Sequence, residues 1–310
     1  MKNLLKGKDV LTAQQFSKEE ILQVMDVAAD MEKAVRKGKK LDNMDGKILA
    51  TLFFEPSTRT RLSFEAAMLR VGGQVISVAS GATSSAAKGE TIADSVKTVE
   101  GYADVIVIRH PQVGSAQEAA DAAGIPVING GDGTGQHPTQ ALLDVYTITK
   151  EKGGLEGLTV CLLGDLKNGR TVHSLSHMLA LFGARIVLCA PEVLKMPDYI
   201  VADLKQRGTE VLEIPDAAEA ARQSDVLYVT RVQKERFASE EDYLKVKGVY
   251  VIDMNMVRQA KKGITIMHPL PRVDEISYEV DSYEGAAYFR QAHNGLPVRM
   301  ALLSMVCDRV

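Results

Sequence analysis

The chain has 310 residues, 45% hydrophobic and 25% charged, the make-up of a folded protein with length for about two domains. A net charge of −3 excludes a general pull toward nucleic acid or membrane, so any anion site has to be a local cluster. No run of 18 apolar residues occurs, so no transmembrane helix is expected, and MKNLLKGKDVLTAQQ at the start lacks a secretory apolar region.

Candidate strands fall at 48–54, 74–78, 105–109, 125–129, 159–164, 185–190, 210–214, 226–230, 249–254 and 264–268. Segments with helical period lie between most of them, such as SKEEILQVMDVAADMEKAVRKG and TVHSLSHMLALFG. The strands are almost continuously apolar, as parallel strands covered on both faces are. Strand–helix alternation throughout predicts an α/β fold of two domains, each a parallel sheet flanked by helices. The break is expected in TKEKGGLEG (149–157), giving a first domain of 1–150 and a second of 151–287. The last helix, within about 288–310, is expected to pack back on the first domain, with Pro297 in its first turn. Cys161 and Cys189 lie in apolar strands, and three cysteines without close spacing form neither a disulfide framework nor a zinc site. Cytoplasm is the expected compartment.

Open parallel sheets bind ligands beyond the carboxyl ends of their strands. After the first strand comes Ser57-Thr58-Arg59-Thr60-Arg61 at the start of a helix. Free N–H groups, the positive helix end, three hydroxyls and one guanidinium there suit a multiply charged anion. At 100° per residue Arg59 and Arg61 diverge, so at most one should serve it directly. A lone S-T-R would instead be an N-cap beside surface arginines. SGATSSAAKGET (80–91), with Lys88, taken alone reads as a disordered surface loop. Arg109 ends the third strand. NGGDGTGQHPTQALLD follows the fourth, and its Pro138 suits a first helical position. The helix end beside His137 favours a neutral imidazole, able to donate to a polarised carbonyl. Gln140, one turn on, can recognise an amide. The glycines here do not fit G-x-G-x-x-G; TVCLLGD before a helix would suit a nucleotide-dependent oxidoreductase, but GDLKNGRT lacks that spacing too, which counts against it.

In the second half, Arg170 in GDLKNGRT and Arg231 and Gln233 in YVTRVQKER follow two strands; two arginines from separate strand ends can clamp a dicarboxylate. HPLPR has two X-Pro bonds and reads as a stiff extended corner, whose Leu270 and Pro271 carbonyls can accept from an ammonium group. His173 and His177 are four apart on a helix, but their apolar and hydroxylic surroundings favour packing over metal binding.

Together FFEPSTRTRLSFE, KGET, RHP, HPTQALLD, GDLKNGRTVHS, RVQKER and HPLPRVDEI resemble the catalytic-chain family of aspartate carbamoyltransferases, in order and over nearly the whole chain. The S-T-R-T and HPxQ elements resemble carbamoyltransferases in general; HPLPR, Arg231 and Gln233 resemble the aspartate branch. The alternative is an ornithine or other amino-acid carbamoyltransferase, although arginines near the acceptor would repel ornithine.

The resemblance implies carbamoyl transfer from carbamoyl phosphate to L-aspartate, an early step of pyrimidine biosynthesis, with no cofactor and no metal. It implies a carbamoyl-phosphate domain and an aspartate domain in a homotrimer with shared sites, and it leaves room for regulatory chains. Ser57, Thr58, Arg59, Thr60 and Arg109 would hold the phosphate. Thr60, Arg109 and His137 would reach the carbonyl oxygen, and Gln140 the carbamoyl amine. Ser84 and Lys88 would come from a neighbouring subunit. Arg170, Arg231 and Gln233 would take the aspartate carboxylates, with the Leu270 and Pro271 carbonyls near its amine. Glu55 would serve interdomain closure with Arg170 and Arg236. Asn168 stands where relatives often resemble Tyr, and Ala87 where some carry a lysine.

Overall fold

A computed structural model describes residues 2–81, 85–237 and 239–310. The chain forms two compact units, Met1–Leu143 with Asn294–Val310, and Asp144–His293. The first unit contains α1 (Lys18–Arg36), β1 (Ile48–Phe53), α2 (Thr58–Arg70), β2 (Gln74–Val78), α3 (Ile92–Val99), β3 (Val105–His110), α4 (Ser115–Ala122) and β4 (Val127–Asp132). Helix α5 (Pro138–Lys152) carries the chain into the second unit. There follow β5 (Thr159–Leu163), α6 (Arg170–Leu181), β6 (Arg185–Cys189), α7 (Asp198–Gln206), β7 (Val211–Glu213), α8 (Ala217–Gln223), β8 (Val226–Val229), α9 (Glu240–Leu244), α10 (Met254–Gln259) and β9 (Thr265–Met267). Helix α11 (Tyr288–Val306) returns to the first unit.

All described strand pairs are parallel, in the orders β2-β1-β3-β4 and β7-β6-β5-β8-β9. The central strands β3, β5 and β8 are buried along their apolar runs, as continuous hydrophobicity predicts. The edge strands β2 and β7 are largely exposed.

Three local expectations fail. VYVIDM (249–254) is no strand: only Ile252 bridges to Ile276, Val249 and Val251 are exposed, and Asp253 caps α10 through Met256 N–H at 2.7 Å. The cap ends the extended run before a ladder can form. Pro297 lies inside α11 instead of in its first turn. A mid-helix proline costs about 3 kcal/mol, but Val298, Met300, Leu302, Leu303, Met305 and Val306 are all buried beyond it, at about 1.5–3 kcal/mol each. Burial therefore outweighs the lost hydrogen bond. Finally, the HPLPR corner is not extended. Leu270 has φ 54°, in the left-handed region, and the Leu270–Pro271 bond is cis.

The units part within α5, between Leu143 and Asp144, ahead of the glycine-bearing 149–157 segment. Leu142, Val145, Tyr146 and Ile148 are buried, so the helix runs through this point intact. The return of α11 to the first unit is fastened by Arg299, which donates to Ser63 Oγ at 2.9 Å and stacks on Phe64 at 5.0 Å.

Candidate active site

In the first unit the strand order turns between β1 and β3: β1 leads outward to β2 and β3 to β4. Carboxyl ends at such a reversal are where open parallel sheets bind ligands. Helix α2 starts there. Its buried stripe is Thr60, Phe64, Ala67 and Met68, a spacing of four, three and one. Burying Phe64 and Met68 contributes about 1.5–3 kcal/mol each, more than the ~1 kcal/mol lost with an absent N-cap bond. An absent cap is what the structure has. Ser57 is extended (φ −158°, ψ 100°), its hydroxyl makes no capping bond, and no acidic residue lies in the first turn. By contrast Ser17, Thr91, Asp216, Ser239 and Asp253 all cap their helices with side-chain oxygens. Ser57 is half-buried, Thr58 and Arg59 are exposed and Thr60 is buried. Arg61 instead bonds Glu65 at 3.2 Å and Ser77 at 3.3 Å, as the helical divergence predicts. The capping reading of Ser57 thus fails: this helix start has neither a serine cap bond nor a carboxylate in its first turn, the setting in which helix N-termini suit anions.

Register places Arg109 opposite Phe53, and its carbonyl accepts Phe54 N–H at 2.8 Å. Its guanidinium donates to Gly130 O at 3.2 Å and lies 3.3 Å from Glu55. The β3–β4 ladder shifts register between Ile108 and His110, opposite Gly130 and Gly131. A Cβ on Gly130 would stand 3.2 Å from the Ile108 carbonyl, a tight contact that a side chain there would have to relieve by a small shift of the bulge. Burial lowers the His110 pKa from its ordinary value, against the opposing pull of Glu118 and Glu55. Its Nδ1 accepts Gln112 N–H at 3.1 Å.

Beyond β4, Asp132 folds the glycine stretch by accepting N–H of Gln136 at 2.6 Å and of Gly114 at 2.9 Å. Pro138 opens α5, and the His137 carbonyl accepts N–H of Gln140 and Ala141 at 3.0 and 3.2 Å. His137 and Gln140 are both buried at this helix start. Lys88 is exposed at the end of a short 3-10 helix, Ser85–Lys88. Ser84 lies outside the described residues.

In the second unit the order turns between β5 and β8. Leu163 pairs with Val229, so the loops bearing Arg170 and Arg231 leave adjacent strands at one level. Gly164 has φ 116°, and a Cβ there would lie 2.2 Å from the Thr230 carbonyl, so only glycine lets the two loops approach. Buried Asp165 accepts the Asn168 backbone N–H at 2.9 Å and its side-chain amide at 3.2 Å. Gln233 donates to Asn168 O at 3.2 Å, tying the two loops together. Arg170 opens α6, whose first turn also has no acidic residue. Arg170 and Arg231 are half-buried, and Arg236 is exposed in the turn Lys234–Arg236.

Leu270 and Pro271 follow β9, the neighbour of β8. Asp165, His268, Glu275 and Gln291 hydrogen-bond to these loops and were not singled out from sequence. The polar residues Asp165 and His268 at strand ends were a signal that could have found them. Arg272 of the same motif pairs with Asp281 and stacks on Tyr278 at 4.5 Å, a structural role. His173 bonds Leu166 O at 2.8 Å and His177 meets Asp203 at 3.2 Å, so this pair ties helix α6 to its surroundings.

The family described as aspartate/ornithine carbamoyltransferase, carbamoyl-P binding domain, matches residues 8–150, and its Asp/Orn binding domain matches 156–306. The aspartate carbamoyltransferase catalytic subunit of Thermococcus kodakarensis is 57% identical over 300 residues, 97% of each chain. The catalytic subunit of M. jannaschii aspartate transcarbamoylase superposes with a TM-score of 0.90 at 47% identity, covering 97% of this chain and 98% of that one. Aspartate transcarbamoylase from Trypanosoma cruzi, in complex with carbamoyl phosphate and aspartate, gives 0.92 at 41% identity, covering 98% and 96%. With both halves matched in order and at this identity, the chain belongs to the aspartate/ornithine carbamoyltransferase family, among the aspartate carbamoyltransferase catalytic subunits.

Proposed function

We propose that this chain transfers the carbamoyl group of carbamoyl phosphate to the amine of L-aspartate, giving N-carbamoyl-L-aspartate and phosphate. The observation that carries this is near full-length identity of 57% to a catalytic subunit of that name. The Trypanosoma cruzi relative, solved with both substrates, supports the same acceptor.

Ser57, Thr58, Arg59, Thr60 and Arg109 hold the phosphate, through hydroxyls, guanidinium forks and the helix end. The amine adds to the carbamoyl carbon, and negative charge gathers on the carbonyl oxygen. Thr60, Arg109 and His137 stabilise that oxygen, and Gln140 receives the carbamoyl NH₂. The C–O bond to phosphate then breaks, the departing phosphate takes the proton that the amine gives up, and its remaining charge stays with the phosphate-binding donors. Arg170, Arg231 and Gln233 take the two carboxylates, while the Leu270 and Pro271 carbonyls accept from the amine. No side chain becomes covalently attached; acceleration comes from orientation and charge placement. The working form is a cytoplasmic homotrimer in which Ser84 and Lys88 serve a neighbouring subunit's site. Exposure of Lys88 supports that sharing.

The test is incubation of the purified chain with carbamoyl phosphate and either L-aspartate or L-ornithine, measuring the carbamoylated amino acid. Product with aspartate alone is expected. Product with ornithine alone would overturn the acceptor assignment, and none with either would overturn the activity.

A further inference from the structure

The HPLPR corner rests on the ring of its first residue. His268 Nδ1 accepts the Leu270 backbone N–H at 2.8 Å. A nitrogen that accepts carries no proton, so the hydrogen of the neutral ring is on Nε2. That atom lies 2.6 Å from Glu275 Oε1 and donates to it. The second Glu275 oxygen accepts N–H of Val273 and Asp274, each at 3.1 Å, closing the far side of the corner. Burial raises the Glu275 pKa, but the bonds to His268 and to backbone outweigh it, so the carboxyl stays below its ordinary value and ionised.

The backbone of His268 is anchored as firmly. Its N–H donates to Gln291 Oε1 at 2.8 Å, and Gln291 Nε2 donates to Asp144 Oδ1 at 2.7 Å. The other oxygen of Asp144 accepts the Tyr228 hydroxyl at 2.8 Å. His268, Glu275, Gln291, Asp144 and Tyr228 are all at least nine-tenths buried, whereas Pro271 is exposed. The exposed corner is thus tied to a buried polar frame, at Leu270 by His268 Nδ1 and on its far side by Glu275. Leu270 needs such a support, because φ 54° is disfavoured for a residue with a Cβ.

We propose that His268 is a positioning residue for the acceptor amine: through Nδ1 it fixes Leu270, and with it the direction of the Leu270 and Pro271 carbonyls. This rests on the reading that those carbonyls receive the amine of aspartate. A merely structural histidine would matter for stability through both ring nitrogens alike. A positioning histidine acts on the amine site through Nδ1 alone.

Two substitutions separate the nitrogens. In His268→Asn the amide oxygen stands near Nδ1 and can accept from Leu270. In His268→Gln the amide reaches the place of Nε2 and meets Glu275, but Leu270 loses its acceptor. Initial rates of carbamoyl-aspartate formation would be measured for both proteins and the unsubstituted chain, varying each substrate, with thermal unfolding alongside. His268→Gln is expected to raise the aspartate KM about tenfold, the size of one lost hydrogen bond at a charged group, and His268→Asn by about a third of that or less. The carbamoyl phosphate KM should move less than about twofold in both. Equal aspartate KM in the two variants, or a change confined to carbamoyl phosphate, would overturn the proposal. If His268→Gln does not fold, His268→Ala removes the same acceptor and takes its place under the same criterion. An unsubstituted chain inactive on aspartate would instead refute the function itself.

Discussion

Ser17 and Ser57 both precede helices, and the structure predicts opposite consequences for their loss. Ser17 Oγ accepts Glu20 N–H at 3.2 Å while Glu20 Oε2 accepts Ser17 N–H at 2.8 Å, a reciprocal capping box. Ser57 makes no capping bond. Ser17→Ala should therefore cost about 1 kcal/mol, a fall of roughly 2–4 °C in a protein of this size, with unchanged carbamoyl transfer. Ser57→Ala should leave the melting temperature within about 1 °C, since no capping bond is removed. Its carbamoyl phosphate KM should rise roughly 10- to 100-fold, the 1.5–3 kcal/mol of a hydrogen bond to a charged group. Thermal unfolding and initial-rate kinetics on the two proteins give the comparison. A Ser57→Ala protein that melts several degrees lower with normal affinity for carbamoyl phosphate would refute the reasoning and restore the capping role.

Arg59→Ala and His137→Ala should each lower turnover on the order of 10²-fold, as loss of one oxyanion or phosphate donor does, and steady-state rates check this. Arg59→Ala mixed with Lys88→Ala after subunit exchange should regain activity, because hybrid trimers contain sites lacking neither residue; no regain would mean self-contained sites. Tyr228→Phe removes the buried bond to Asp144 and should cost about 1.5–3 kcal/mol in urea unfolding. Burial lowers the His177 pKa from 6.5, against the pull of Asp203 and with a small aid from Arg207. The folded value lies below the unfolded one, so its contribution to stability is complete above about pH 6.5 and is lost as pH falls through the folded value. His177→Gln should flatten the fall in stability as pH drops below about 6.5, measured by urea unfolding at each pH.

The placement of most residues proposed for the phosphate was legible because they are contiguous. Ser57 to Thr60 stand at one helix start, and His137 to Gln140 at another, so local geometry alone brings them together. Arg170, Arg231 and Gln233 are proposed by a related rule, being polar residues just past apolar strands. Asp165, His268, Glu275 and Gln291 were missed as partners of the loop backbone. Their partners are backbone groups or side chains brought close by the fold, and no spacing announces such bonds. Pro297 misled for a related reason: its local penalty is real, but buried neighbours along α11 outweigh it.

The alternation of strands and helices, the apolar continuity of the strands and the order of the motifs were set by sequence alone, since each depends on neighbours along the chain. Tertiary structure decided the strand orders, and hence which two strand ends in each sheet face a reversal. It decided that Ser57 does not cap while Ser17 does, because packing of Phe64 and Met68 holds α2 without that bond. It also decided the shape at Leu270, where a buried ring two residues away holds a conformation that local preference disfavours. Periodicity reports what a segment wants by itself, whereas a site is made of groups whose preferences are overruled by what they touch.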